Sequence, residues 1–260
     1  MTEPSAEPHP AALRRRPALV AVAHGSRDPG ALRTVAALLE RVRAARPGLD
    51  VRLGHIELNA PLLTDTLTAL RGDVVLVPLL LGRGHHVKRD LPEALAGAPW
   101  LRGVCARPLG PHPLLAEALR TRLREAGWPK GGGGTAVVLA AAGSRDPDSA
   151  ADTDRTAALL SARLGGVPVR PAYASAAAPT VAGAIAALNA EGHRRIAVAS
   201  YFTAPGRFAA QCAAAAPWIA SAPLGDQDAM ARLVLHRYDR AAPTLPPRDR
   251  TLQPLGARAH

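Results

Sequence analysis

The hydrophobic positions of this chain form short unbroken runs separated by longer stretches of helical period. Residues 18–23 (Ala-Leu-Val-Ala-Val-Ala) and 74–81 (Val-Val-Leu-Val-Pro-Leu-Leu-Leu) are continuous apolar runs, as strands buried on both faces of a parallel sheet require. Between them, Val35, Leu38, Leu39 and Val42 recur at helical spacing and predict a helix near 31–46, stopped by Pro47-Gly48. A strand is predicted from Val51 to about Glu57, then a helix opened by Pro61 and running through Leu70. The polar loop 82–92 feeds a short helix, a strand follows near 103–107, and a helix covers 113–126. Strands at 137–141, 167–173 and 196–201 and helices at 149–164, 179–190, 206–216 and 227–240 repeat that order. The alternation predicts an α/β layer fold with a mostly parallel sheet in each half.

Four glycines, Gly131 to Gly134, separate the halves. Such a run holds a regular element only at high entropic cost, so 128–135 reads as a linker. The expected organisation is a domain over 18–127 and its repeat over 136–240. A disordered Pro-rich leader at 1–17, without the apolar core of a secretory signal, and a Pro/Arg-rich tail at 241–260 complete the chain.

The two halves share a phrase at the end of their first strand. Ala23-His24-Gly25-Ser26-Arg27-Asp28-Pro29 returns as Ala141-Ala142-Gly143-Ser144-Arg145-Asp146-Pro147. With Pro61 set against Pro179 and Gly84 against Gly206, Glu57 falls on Ser175, His85 on Arg207 and His86 on Phe208. The glycine, serine, arginine and proline survive the duplication; His24, Glu57 and His86 do not. The chain is thus its own internal control: what both halves keep is scaffold, and what one half drops is a candidate for chemistry.

In a parallel sheet the loops after strands one, two and three open at one carboxyl edge, where ligands of open α/β sheets bind. His24, Glu57 and His86 are therefore expected to converge. Two imidazoles and a carboxylate suit a first-row divalent ion with open positions better than Mg2+ or Ca2+, and the same groups accept protons near neutral pH. His55 shares the strand face of Glu57 and is a possible fourth member; His85 is adjacent to His86. Each residue alone has a plainer reading: His24 as a helix-capping loop histidine, Glu57 as a surface carboxylate. Their joint loss from the repeat favours a site. Arg27, Arg83, Lys88 and Arg89 stand in the same loops, either as solvated charges or as anchors for substrate carboxylates. Asp90, just before Leu91-Pro92, is a candidate cap for the helix that follows; its counterpart in the repeat is Cys212, so a site role is open as well.

Composition narrows the partners. The net charge is +11, aromatics are 3% of residues, and arginine outnumbers lysine. An anionic ligand fits that charge; nucleic-acid-binding motifs are missing and aromatics for stacking are few, a small polycarboxylate suits the charge equally well, and nucleic acid is not expected. Two cysteines, Cys105 and Cys212, stand apart without a CxxC spacing and read as free thiols in a reducing compartment. No apolar run is long enough for a membrane span, and a soluble cytoplasmic protein is expected. No GxGxxG, P-loop, GxSxG or HExxH motif appears.

The HGSR phrase after strand one resembles the CbiX/SirB-type sirohydrochlorin chelatases. So do Glu57 ahead of a Pro-opened helix and the segment Val77-Pro78-Leu79-Leu80-Leu81 continuing to Gly84, His86, Val87, Asp90, Leu91 and Pro92. The likeness covers about 18–127 with these motifs intact and about 136–240 without the site residues. The resemblance implies a chelatase-like fold, α/β, of two similar three-layer domains with the site in the cleft between them. It implies insertion of a divalent metal (Co2+, Fe2+ or Ni2+) into sirohydrochlorin, a tetrapyrrole with eight carboxylates, on the path to siroheme or cobalamin. Its two metal-site histidines fall on His24 and His86 and its acidic partner on Glu57. The metal is then a substrate and no permanent cofactor is implied. The duplicated halves are expected to form an internal pseudo-dimer within a monomer. The competing readings are a metal or tetrapyrrole carrier without turnover, and a metal-dependent hydrolase.

Overall fold

The computed structural model describes residues 16–129 and 134–246. The expected leader, apart from Arg16 and Pro17, lies outside the described residues, as do 130–133 of the linker and 247–260 of the tail.

The first half runs β1 (Ala18–Ala23), α1 (Pro29–Ala45), β2 (Val51–His55), α2 (Leu63–Thr68) and β3 (Gly72–Pro78). A wide helical turn at His86–Asp90 then leads into α3 (Leu91–Ala96), β4 (Leu101–Cys105) and α4 (Pro113–Glu125). The second half runs β5 (Thr135–Ala141), α5 (Pro147–Arg163), β6 (Val169–Tyr173), α6 (Val181–Ala190), β7 (Arg195–Ser200), α7 (Arg207–Ala214), β8 (Ile219–Ala220) and α8 (Asp228–Ala241). Each half holds a four-stranded parallel sheet, in the orders β2-β1-β3-β4 and β6-β5-β7-β8. The predicted α/β fold of two similar parallel layers is therefore present. β8 is the element that the sequence reading lacks. Two residues carry no periodicity, and Pro217 and Pro223 close the segment on either side.

Local chemistry sets the element boundaries. Every residue of β1 is buried because β2 and β3 flank it and helices cover both faces. α1 starts where Asp28 accepts a hydrogen bond from Gly30 N at 2.7 Å, with Pro29 at the first helical position. The same device opens α5, where Asp146 accepts from Asp148 N at 3.0 Å ahead of Pro147. A side-chain acceptor at the N-cap and a proline just inside are the favoured helix start.

The halves do not have separate cores. The outer face of each sheet packs on its own small helices. The inner faces, with α1, α4, α5 and α8, form one continuous cluster. The last helix of each half crosses over: α4 packs on α5 and touches β7, while α8 packs on α1 and β3. Leu115, Leu119 and Leu123 of α4 are fully buried in that cluster, each worth about 2 kcal/mol of burial. Arg46 and Asp239 form a forked ion pair at 2.8 and 2.9 Å across the same junction. The two sheets thus share one packed core, and the loops after their strands wall a common cleft.

Candidate functional site

Gly25 shapes the loop after β1. Its φ is +103°, and a Cβ there would stand 1.9 Å from the carbonyl oxygen of Glu57. Only glycine allows the two loops to touch. Glu57 N then donates to His24 O at 3.0 Å, and Ser26 N to the Asn59 side chain at 2.7 Å. Leu58 takes a positive φ of 67°, a strained choice for a side chain of its kind. The second half repeats this frame. Gly143 has φ +93° with its would-be Cβ 1.8 Å from Ser175 O, Ala176 has φ 59°, and Ser175 N donates to Ala142 O. Backbone geometry thus superposes His24 on Ala142 and Glu57 on Ser175, residues without the same chemistry.

His24 of the first half stands beside both of the other candidates. His24 Nδ1 lies 3.5 Å from Glu57 Oε1, with the two side chains 45% and 53% exposed. The His24 and His86 rings are 4.8 Å apart between centroids and nearly perpendicular. Among the described residues, no three His, Cys, Asp or Glu side chains are grouped closely enough to hold a metal ion as they stand. His24, Glu57 and His86 form an open cluster on one wall of a cleft.

Asp90 has a different place from the cap read in the sequence. It makes no side-chain capping bond, because the turn His86–Asp90 runs straight into α3 and leaves no free helix start there. Its carboxylate instead lies 2.5 Å from His86 Nδ1, with His85 Nε2 at 3.4 Å. A carboxylate at that distance accepts a hydrogen bond from Nδ1–H and so leaves the Nε2 lone pair of His86 free. His85 is 70% exposed. His55 is buried, with Nδ1 3.2 Å from Pro61 O. It braces the 55–61 loop, and its Nε2 has no hydrogen-bond partner.

The four basic residues proposed from sequence separate into three groups. Arg27 is exposed and lines the cleft. Arg89 faces Glu93 at 3.6 Å, with both side chains about two-thirds exposed, and is not part of the cleft wall. Arg83 and Lys88 are both paired with carboxylates. Arg83 Nε and Nη2 donate to the Asp152 carboxylate at 3.0 and 2.8 Å, and Lys88 Nζ lies 2.7 Å from Asp146 and 2.9 Å from Asp148. Their charge is met by carboxylates of the second half, whose nearness across the chain carries no local sequence signal. Hydrogen bonding to Asp146 raises the Lys88 pKa and lowers that of Asp146.

The cleft has a volume of about 1150 Å³ and is walled by both halves. That exceeds the usual 300–1,000 Å³ of small-ligand pockets and suits a large flat ligand. The second half contributes Tyr201, Phe202, Arg207 and Phe208. The chain has only two phenylalanines, and both stand here. The Arg207 guanidinium lies over the Phe208 ring, 4.8 Å from its centroid. The sequence reading paired Arg207 with His85 without assigning it a role; the rarity of phenylalanine was the signal available for this wall.

Two facing parallel sheets of one topology, with two imidazoles and a carboxylate on the cleft wall of one half, define a chelatase-like α/β protein. A family model described as CbiX matches residues 18–126 and again 136–241. The chain belongs to the CbiX family, with one copy of the domain in each half. It is 29% identical over 196 residues to the sirohydrochlorin cobaltochelatase of Priestia megaterium, covering 71% of this chain and 63% of that protein. To the sirohydrochlorin ferrochelatase of Bacillus subtilis it is 29% identical over 170 residues, covering 62% and 64%. The chain therefore spans just under two thirds of the length of these curated relatives. In fold it is similar to the structure "SirB from Bacillus subtilis with Fe3+", with a TM-score of 0.72, 24% identity, and coverage of 86% of this chain and 95% of that one.

Proposed function

We propose that this protein inserts a divalent first-row metal into sirohydrochlorin. The observation that carries the proposal is the convergence of His24, Glu57 and His86 on one wall of a shared cleft. It occurs in the half that keeps these side chains and not in the half that keeps only their backbone frame. His86 Nε2, freed by the Asp90 contact, His24 and Glu57 are the donors that would take the incoming ion. Imidazole and carboxylate together accept Co2+, Fe2+ and Ni2+. An open set of few ligands is what transfer demands, because the ion leaves the protein for four ring nitrogens. Two pyrrole N–H protons leave as M2+ enters, and the half-exposed His24 and Glu57 are placed to receive them and pass them to water.

Arg27 in the first half and Arg207 in the second are the cleft-lining guanidiniums that suit substrate carboxylates, and Phe202 and Phe208 offer an apolar wall to the macrocycle. The ion is a substrate, so no resident cofactor enters this reading. The shared central core supports a monomer in which the two halves form the substrate cleft between them. Both cysteines are free, and burial pushes the Cys105 thiol up to about 11, which suits an inert thiol in a reducing cytoplasm.

Absorbance of sirohydrochlorin with purified protein and Co2+, Fe2+ or Ni2+ in turn, compared with metal alone, tests the proposal. A faster spectral change with at least one metal is expected. Binding of sirohydrochlorin with insertion no faster than the spontaneous rate would overturn it and leave a carrier.

A further inference from the structure

The loop that carries His86 is held by the second half. Three ties fix it on both sides of the histidine pair. Tyr201 OH donates to Leu81 O at 3.2 Å. The Asp152 carboxylate accepts from the backbone N–H of Arg83 at 3.0 Å and from its guanidinium. Lys88 Nζ, two residues past His86, reaches Asp146 and Asp148 at 2.7 and 2.9 Å. The contact is close: a Cβ at Gly82 would stand 3.2 Å from Ser149 Oγ of α5. Asp152 is 1% exposed. A buried carboxylate is tolerated where it is paired and hydrogen-bonded, and Arg83 supplies both.

The ties run in one direction only. In the internal register set by Asp28 and Asp146, Asp148 corresponds to Gly30 and Asp152 to Thr34. In the register set by Gly84 and Gly206, Arg83 corresponds to Pro205, Lys88 to Ala210 and Leu79 to Tyr201. Of the three acidic partners the first half thus keeps only Asp28, and the equivalent loop of the second half, with Pro205 and Ala210, has neither basic side chain for it to hold. The half that has lost the metal-binding side chains is the half that supplies the grip.

We propose that Asp152 and Arg83, together with Lys88 and its two aspartates, are positioning residues for metal capture. The second half acts as a clamp that sets His86 at its working distance from His24 and Glu57. This goes beyond the proposed reaction and rests on it only for the turnover readout. The test is Co2+ binding to the full chain without tetrapyrrole, followed by the Co2+ d–d absorbance, alongside kcat and KM for sirohydrochlorin. Asp152→Asn keeps the shape and removes the charge. Lys88→Gln removes a partly exposed tie and serves if the buried variant folds poorly. Each is expected to weaken Co2+ affinity about tenfold, as loss of an outer partner of a metal site does, and to change the Co2+ spectrum. They should lower kcat and leave KM for sirohydrochlorin unchanged, and Lys88→Arg should restore the Co2+ affinity. Unchanged Co2+ affinity and spectrum in both Asp152→Asn and Lys88→Gln, with only a lower melting temperature, would overturn the clamp. A wild type that binds Co2+ but inserts no metal would overturn the reaction and leave the clamp to be judged on affinity alone.

Discussion

Asp90 Oδ2 stands 2.5 Å from His86 Nδ1, four residues earlier on the same wide turn. The pair fixes which ring nitrogen is free, so under the proposed metal-binding role of His86, Asp90 acts on the ion through that ring. Asp90→Ala is expected to weaken Co2+ binding by about 10- to 100-fold. Asp90→Asn keeps an acceptor for the Nδ1 proton and should lose less. Titration of Co2+ absorbance in the three proteins checks this; equal losses in both variants would show that orientation of His86 is not the role of Asp90.

Gly25 and Gly143 allow a comparison of scaffold and site. Each has a positive φ and a would-be Cβ within 2 Å of a carbonyl oxygen. Gly25→Ala and Gly143→Ala should each destabilise the fold by at least about 1–3 kcal/mol, the usual cost of such strain. Of the two, Gly25→Ala should also impair Co2+ binding, because it separates His24 from Glu57. Denaturant unfolding and Co2+ titration of both variants measure the two effects separately.

Much of this was legible in the sequence, and the failures have physical causes. Continuous apolar runs marked β1, β3 and β5 because both of their faces are covered. The repeat register matched the structure at His24/Ala142 and Glu57/Ser175 because the backbone frame needs the same glycine in both halves. The partners of Arg83 and Lys88 were not legible, since Asp146, Asp148 and Asp152 come near only through tertiary packing. For Asp90 the replacement by Cys212 in the repeat left a site role open, but its contact with His86 was not legible, because its position before Leu91-Pro92 also suits a helix cap. The shared core was not legible either, because nothing in the linker or in the periodicity of α4 and α8 shows that each crosses to cover the other half.

That crossing makes the halves one folding unit. Leu119→Ala, in the centre of the shared cluster, should cost about 2–5 kcal/mol. Unfolding should be a single transition, the same whether followed by far-ultraviolet circular dichroism or by the Trp128–Trp218 pair, whose rings are 5.7 Å apart. Two separated transitions in calorimetry would contradict a shared core.

His112 gives the fold a pH dependence away from the cleft. It caps α4 by accepting from Leu114 N at 3.2 Å. Burial, then the charges of Arg237 and His236, lower its pKa from 6.5 to about 4. The folded state therefore prefers neutral His112, while the unfolded chain takes up the proton near 6.5. Its contribution to stability is complete above about pH 6.5 and is lost as the pH falls toward 4. His112→Asn keeps a cap without a titrating ring, so its unfolding free energy should fall less between pH 7 and 4.5 than that of the wild type.

The central claim is that chemistry resides in His24, Glu57 and His86, while their counterparts in the second half are scaffold. The most direct measurement is the initial rate of metal insertion into sirohydrochlorin by His24→Ala, His86→Ala and Ser175→Ala, with folding checked by circular dichroism. The first two are expected to fall to the spontaneous rate and the third to match the wild type. Full activity in folded His24→Ala or His86→Ala would contradict the account.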